Sequence, residues 1–188
     1  MRRRRLTSLG ALLLAISSSA ALAQPTTTTS QPIDFTSLFT AAAQNQTEAV
    51  ARMLRRGDNP NGLDTSGHSP LGYAALYGNT EMAKALLASG ARPDFRDQFG
   101  NTALHWAATN GQTEVLRVLL DAKAPIDVPN KQGVTPLMMA ADGNKVESVR
   151  VLLAAGADPA KADFSGRDAV GWAQGKPGVL RLLQQAAK

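Results

Sequence analysis

The chain has 188 residues, with 20 lysines and arginines against 15 aspartates and glutamates, a formal net charge of +5, two histidines and no cysteine. The absence of cysteine excludes disulfides and any lipid attached through a thiol, so stability must come from packing. The positive balance does not point to nucleic acid, because four of the basic residues are Arg2, Arg3, Arg4 and Arg5 and the other charges alternate in sign instead of clustering on one face.

In chain order, those arginines are followed by an apolar run over 9–16, a serine stretch, and Ala21, Leu22 and Ala23 before Gln24. Basic, apolar and small-residue regions in that order predict a secretory signal peptide over 1–23, cleaved after Ala23. A membrane anchor is the competing reading, but the apolar run falls well short of the ~20 residues that a spanning helix needs. After cleavage 16 basic residues stand against 15 acidic ones, and the released chain is expected to be soluble, with no membrane partner. The arginine run also raises twin-arginine export, which the residues after it match only in part. Residues 24–34, opening "QPTTTTSQPI", are polar with two prolines and predict a flexible linker.

From Thr65 the chain repeats. Three consecutive blocks read "TSGHSPLGYAALYGNTEMAKALLASGARPDFRD", "QFGNTALHWAATNGQTEVLRVLLDAKAPIDVPN" and "KQGVTPLMMAADGNKVESVRVLLAAGADPAKAD". They align without a gap at Gly67, Gly100 and Gly133, at Leu71, Leu104 and Leu137, at Ala74, Ala107 and Ala140, and at Leu86, Leu119 and Leu152. The same offset run backwards catches Leu38, Ala41, Ala42, Met53, Leu54 and Gly57; run forwards it catches Gly166, Val170 and Ala173 before about two residues drop out.

Local chemistry divides each block into two helices. Ser69-Pro70 and Thr135-Pro136 put a capping side chain before a proline in the first helical position, with Thr36, Thr102 and Asp168 at the equivalent places. Gly78 and Gly111 end the first helices in a left-handed conformation, with Asn45 and Asn144 as substitutes. Second helices are expected from Thr47, Thr80, Thr113 and Val146, each with a glutamate in the first turn where the helix dipole favours it. They should end near Gly57, Gly90 and Gly156, with Lys123 at the glycine place of the third repeat. Asp64, Asp97, Asn130 and Asp163 recur at the junctions as turn-forming side chains.

"SPLGYAA", "TALHWAA" and "TPLMMAA", each followed by a double-leucine helix, with "GARPD" and "GADP" closing two of them, resemble the ankyrin-repeat family over essentially everything from about Phe35 onward. The resemblance implies an all-α solenoid of about five helix-turn-helix repeats, near 35–64, 65–97, 98–130, 131–163 and 164–188. Three are full 33-residue repeats and the outer two are divergent caps. Capping repeats need a polar outer side, which Gln44, Asn45, Gln46, Arg52, Arg55 and Arg56 supply at one end and Arg181, Gln184, Gln185 and Lys188 at the other.

Catalytic chemistry finds little support. His105 stands where ankyrin repeats commonly keep a histidine for structural hydrogen bonding, and His68 lies in a turn without partners at zinc spacing. No phosphate-cradling glycine loop occurs. The expectation is a non-enzyme without metal or other cofactor.

Ankyrin modules generally bind proteins through turn tips and the exposed side of the first helices. Here those places hold His68, Phe99, Asn101, Lys131, Val134 and Phe164 in the turns and Tyr77, Thr109, Asn110 and Asp142 on the helices. Tyr77, Phe99, Val134 and Phe164 are apolar at positions expected to be exposed, so they either anchor an interface or pack against the adjacent turn. Tyr73, Trp106, Met139 and Trp172 form a second column, read as packing between stacked hairpins with the Trp106 edge open to a ligand. Two functions follow. One is a monomeric interaction module in the periplasm of a Gram-negative bacterium that docks a partner protein on the concave face; similar small exported ankyrin proteins look like envelope proteins, some linked to oxidative-stress enzymes. The other is an inhibitor or immunity protein against a periplasmic enzyme or toxin, for which a strongly one-signed concave face would speak.

Overall fold

A computed structural model describes residues 37–186. The signal peptide, the linker, the Thr36 cap and Lys188 lie outside the described residues. Those described fall within one compact unit, Phe35–Lys188. They form helices α1 (Leu38–Ala43), α2 (Thr47–Arg55), α3 (Pro70–Tyr77), α4 (Thr80–Ala88), α5 (Ala103–Asn110), α6 (Thr113–Asp121), α7 (Pro136–Asp142), α8 (Val146–Ala154), α9 (Ala169–Trp172) and α10 (Pro177–Ala186), with no strand among them. None of these helices is long and apolar enough to cross a membrane.

Most first helices start where a side chain satisfies a free backbone N–H group of the first turn. Ser69, Thr135 and Asp168 accept from the N–H of Gly72, Met138 and Gly171 at 3.0, 3.4 and 2.8 Å, and Pro70 and Pro136 occupy the first helical position. In the first repeat the cap is Ser37, one residue past the expected Thr36 place; its hydroxyl accepts from Thr40 N–H at 3.2 Å and shortens α1 to six residues. Gly78 and Gly111 close α3 and α5 at φ 70° and 75°, and Asn45 and Asn144 take the same left-handed conformation at 57° and 53°. In the last repeat α9 has only four residues, and Gly175 at φ 76° turns the chain into α10 two residues early, which absorbs the shortfall in the repeat.

Packing follows from the spacing. α6 buries Val115, Leu116 and Leu119 while leaving Glu114, Arg117 and Asp121 exposed, the i, i+1, i+4 stripe of an amphipathic helix. First helices α1, α3, α5, α7 and α9 stack on one another in one layer and second helices α2, α4, α6, α8 and α10 in another. The core is therefore a set of columns, one residue per repeat: Leu71, Leu104 and Leu137; Leu86, Leu119, Leu152 and Leu183; and the wholly buried Ala41, Ala74, Ala107, Ala140 and Ala173, whose small side chains let neighbouring helices approach. Each buried leucine contributes on the order of 1.5–3 kcal/mol, and a hairpin standing alone would bury it only in part. At the ends, Gln44, Asn45, Gln46, Arg52, Arg55 and Arg56, and Arg181, Gln184 and Gln185, are exposed.

Candidate functional site

The turn tips are built alike. Asp64, Asp97, Asn130 and Asp163 each accept, through Oδ1, the N–H groups two and four residues ahead at 2.8–3.0 Å. Their own N–H groups donate to the carbonyls of His68, Asn101, Val134 and Arg167. Successive tips are tied together: Gln98 N–H donates to Gly67 O, Lys131 N–H to Phe99 O and Phe164 N–H to Gln132 O. The left-handed Gly100 and Gly133 leave room for the backbone of the next tip. A Cβ on Gly133, at φ 82°, would stand 2.6 Å from the backbone nitrogen of Phe164.

The second carboxylate oxygen of each aspartate faces the first helix. Tyr73 Oη–H donates to Asp64 Oδ2 at 2.6 Å, Trp106 Nε1–H to Asp97 at 2.9 Å and Trp172 Nε1–H to Asp163 at 3.0 Å. The column expected to be packing between hairpins is thus also a set of hydrogen bonds to the turns. In the fourth repeat both members change together: Asn130 replaces the aspartate and Met139, which has no donor, replaces the ring. Burial and the Asp64 bond push the Tyr73 hydroxyl up to about 12. Burial alone would raise the Asp64 carboxyl, but the Tyr73 hydroxyl and the N–H groups of His68 and Ser66 outweigh it and hold it low. Asp163 is held well below the usual carboxylate range, first by the Ser165 hydroxyl and then by the N–H groups of Arg167 and Ser165 and by Trp172.

His105 is wholly buried. Its Nδ1 accepts from Thr102 N–H at 3.0 Å, so Nε2 is assigned the proton and donates to Val134 O at 3.1 Å. Burial lowers its pKa to about 4 and keeps it neutral. It joins the third repeat to the fourth, the structural role implied by the family resemblance.

The candidate contact residues separate into two groups and a remainder. In the first group His68, half-buried, lies 5.3 Å from Tyr73, 5.2 Å from Trp106 and 6.1 Å from Phe99 between ring centroids, and Tyr73 stacks on Tyr77 at 6.1 Å. Tyr77 and Phe99 remain 44% and 47% exposed. Tyr77 is also fixed at its far end, donating to Ala43 O at 2.8 Å. The second group lines two adjoining clefts of about 630 and 210 Å³ that share Gln132, Val134 and Trp172. Lys131 and Phe164 border the larger, Thr109 and Asp142 the smaller, and Phe164 is 78% exposed.

Two candidates are not exposed as expected. Val134 is only 4% and Asn101 7% exposed, because the fifth residue of each tip has its N–H held by the aspartate or asparagine and its side chain turned toward the next repeat. Asn101 Oδ1 accepts from Asn130 Nδ2 at 2.9 Å, whereas Val134 becomes cleft lining. Thr109 and Asn110 are half-buried, and their side chains donate to carbonyls of their own helix, those of His105 and Trp106, at 2.9 Å. Asp142 is exposed and accepts from Lys176 Nζ at 2.8 Å. Arg167, at the tip position equivalent to His68, lies 4.2 Å over the Trp172 ring and 3.2 Å from Asp163 Oδ2.

Among the described residues no cluster of three or more histidine, cysteine or acidic side chains is arranged to hold a metal ion. The family model for ankyrin repeats (three copies) matches residues 11–97 and 73–163, which together span more than half of the chain. No curated protein matches it. The chain belongs to the ankyrin-repeat family, whose repeats generally mediate protein–protein interaction and are typically not catalytic.

Proposed function

We propose that the chain is an exported, monomeric interaction module of the Gram-negative periplasm that docks another protein on the concave face made by its turn tips and first helices, without catalysis. The observation that carries this reading is three exposed rings, Tyr77 at the end of a first helix and Phe99 and Phe164 on hydrogen-bonded turns. Apolar rings exposed to water are unfavourable in a lone domain and suit the buried centre of an interface. Because the turns are already tied to each other and to the helices, docking orders little further and loses little entropy. The leading arginines, apolar run and Ala21-Leu22-Ala23 support export.

The inhibitor reading would be favoured by a face of one strong sign. On this face Asp142 is neutralised by Lys176 and Arg167 by Asp163, so docking by apolar anchors is preferred. The test is capture of crosslinked partners from envelope extract by the exported chain, beside a Tyr77→Ala/Phe99→Ala variant shown by circular dichroism to be folded. Loss of a partner by the variant supports the reading; equal capture moves the interface to another face.

A further inference from the structure

Between Tyr73 and Trp106 the ring of His68 fills the gap at the foot of the tips, 5.3 and 5.2 Å from its two neighbours. Two repeats further along, Val134 stands at the His68 position and Met139 at the ring position, with Asn101 at the His68 position of the repeat between, so none of them supplies a ring between Trp106 and Trp172. The space left is the smaller cleft, floored by Val134, Met139 and Trp172, with Thr109 Oγ1 3.1 Å from the Met139 sulfur. It opens into the larger cleft, walled by Phe164 and by Arg167 lying flat on Trp172.

The charges there are uneven. Arg167 and Lys176 are each occupied by a carboxylate of the same chain, while Lys131 is exposed on the rim with no carboxylate partner among the described residues. A missing ring beside an uncompensated ammonium specifies complementary chemistry: an apolar side chain to occupy the gap and a carboxylate within reach of Lys131.

We propose that this cleft takes an extended segment of the partner protein that carries an apolar side chain a few positions from an aspartate or glutamate. The inference rests on the docking reading above and names the partner's chemistry at one part of that face. The Tyr77 and Phe99 rings belong to a separate part, so the two can fail separately.

The experiment is panning of a phage-displayed library of random dodecapeptides on the immobilised exported chain, followed by titration of one enriched synthetic peptide. Enriched sequences should pair an apolar residue with a nearby acid. Lys131→Glu, at an exposed tip, should weaken that peptide roughly tenfold, and replacing its acid by lysine should restore binding to the variant. Asn130→Asp/Met139→Trp, which rebuilds the pair found in the third and fifth repeats and fills the gap, should weaken it at least as much while circular dichroism stays unchanged. Enriched peptides without an acid, or binding indifferent to both variants, would overturn the proposal. Peptides lost only by Tyr77→Ala/Phe99→Ala would overturn it and leave the docking reading standing. So would a failure to enrich any peptide when envelope capture of a folded partner succeeds; failure of both would remove the docking reading as well.

Discussion

Trp106 donates its indole N–H to Asp97 Oδ2 at 2.9 Å, so a helix side chain completes the hydrogen bonding of the turn nine residues before it. The carboxylate belongs to a residue only 6% exposed, and its other oxygen already serves two backbone N–H groups. Trp106→Phe keeps most of the ring and removes the donor. It should destabilise the fold by about 1–3 kcal/mol, the usual consequence of leaving a buried polar atom unpaired, measured by urea unfolding. Trp106→Met/Asp97→Asn imports the pairing of the fourth repeat and should cost less than the sum of the two single variants; strict additivity would show that the two columns are independent.

That coupling marks where sequence reasoning stopped short. Helix starts at Thr47, Thr80, Thr113 and Val146, the left-handed Gly78, Gly111, Asn45 and Asn144, and the aspartate turns were legible because each is fixed by neighbours within a few residues. The Asp97–Trp106 bond spans a turn and a helix, a spacing that belongs to neither period, although the joint change to Asn130 and Met139 was visible in the aligned blocks. The burial of Val134 and Asn101 was missed for a related reason. A tip position looks exposed in a single repeat, and it is the next repeat that covers it: Asn130 binds Asn101, and the tip of Phe164 closes over Gly133 beside Val134.

Acid should weaken the fold in a defined window. His105 has its pKa lowered from 6.5 to about 4 by burial, so below pH 6.5 the unfolded chain takes up a proton that the folded one does not. Its neutral form contributes fully above 6.5, and that contribution is lost as pH falls toward 4, amounting to about 3 kcal/mol across the window. Asp64 and Asp163, both lowered, withdraw theirs only below the ordinary carboxylate value of 3.8. Unfolding followed against pH should show the steeper slope between 6.5 and 4 in the wild type, and His105→Gln should flatten it while lowering stability at pH 7.

Lys123 adopts φ 61° at the end of α6, where Gly57, Gly90 and Gly156 close the equivalent helices at 93°, 87° and 93°. A side chain in that conformation costs roughly 1–2 kcal/mol. Lys123→Gly should therefore raise the melting temperature despite the added freedom of the unfolded chain, as followed by circular dichroism.

Ser148 is 1% exposed and its hydroxyl finds no partner. Met82 and Val115 hold the same place in α4 and α6. Ser148→Val should stabilise the protein by about 1 kcal/mol or more, removing an unsatisfied polar atom and adding apolar contact. Denaturant midpoints of the two proteins settle it; a lower midpoint would mean the site has no room for the second methyl.

The most direct test of docking on the tip-and-helix face is a photo-crosslinking amino acid placed at Phe99 in the full-length chain within living cells, compared with the same group at Arg117 on the exposed side of α6. The account predicts a discrete crosslinked species from position 99, recovered in the periplasmic fraction, and none from position 117. Crosslinking from 117 alone would contradict it.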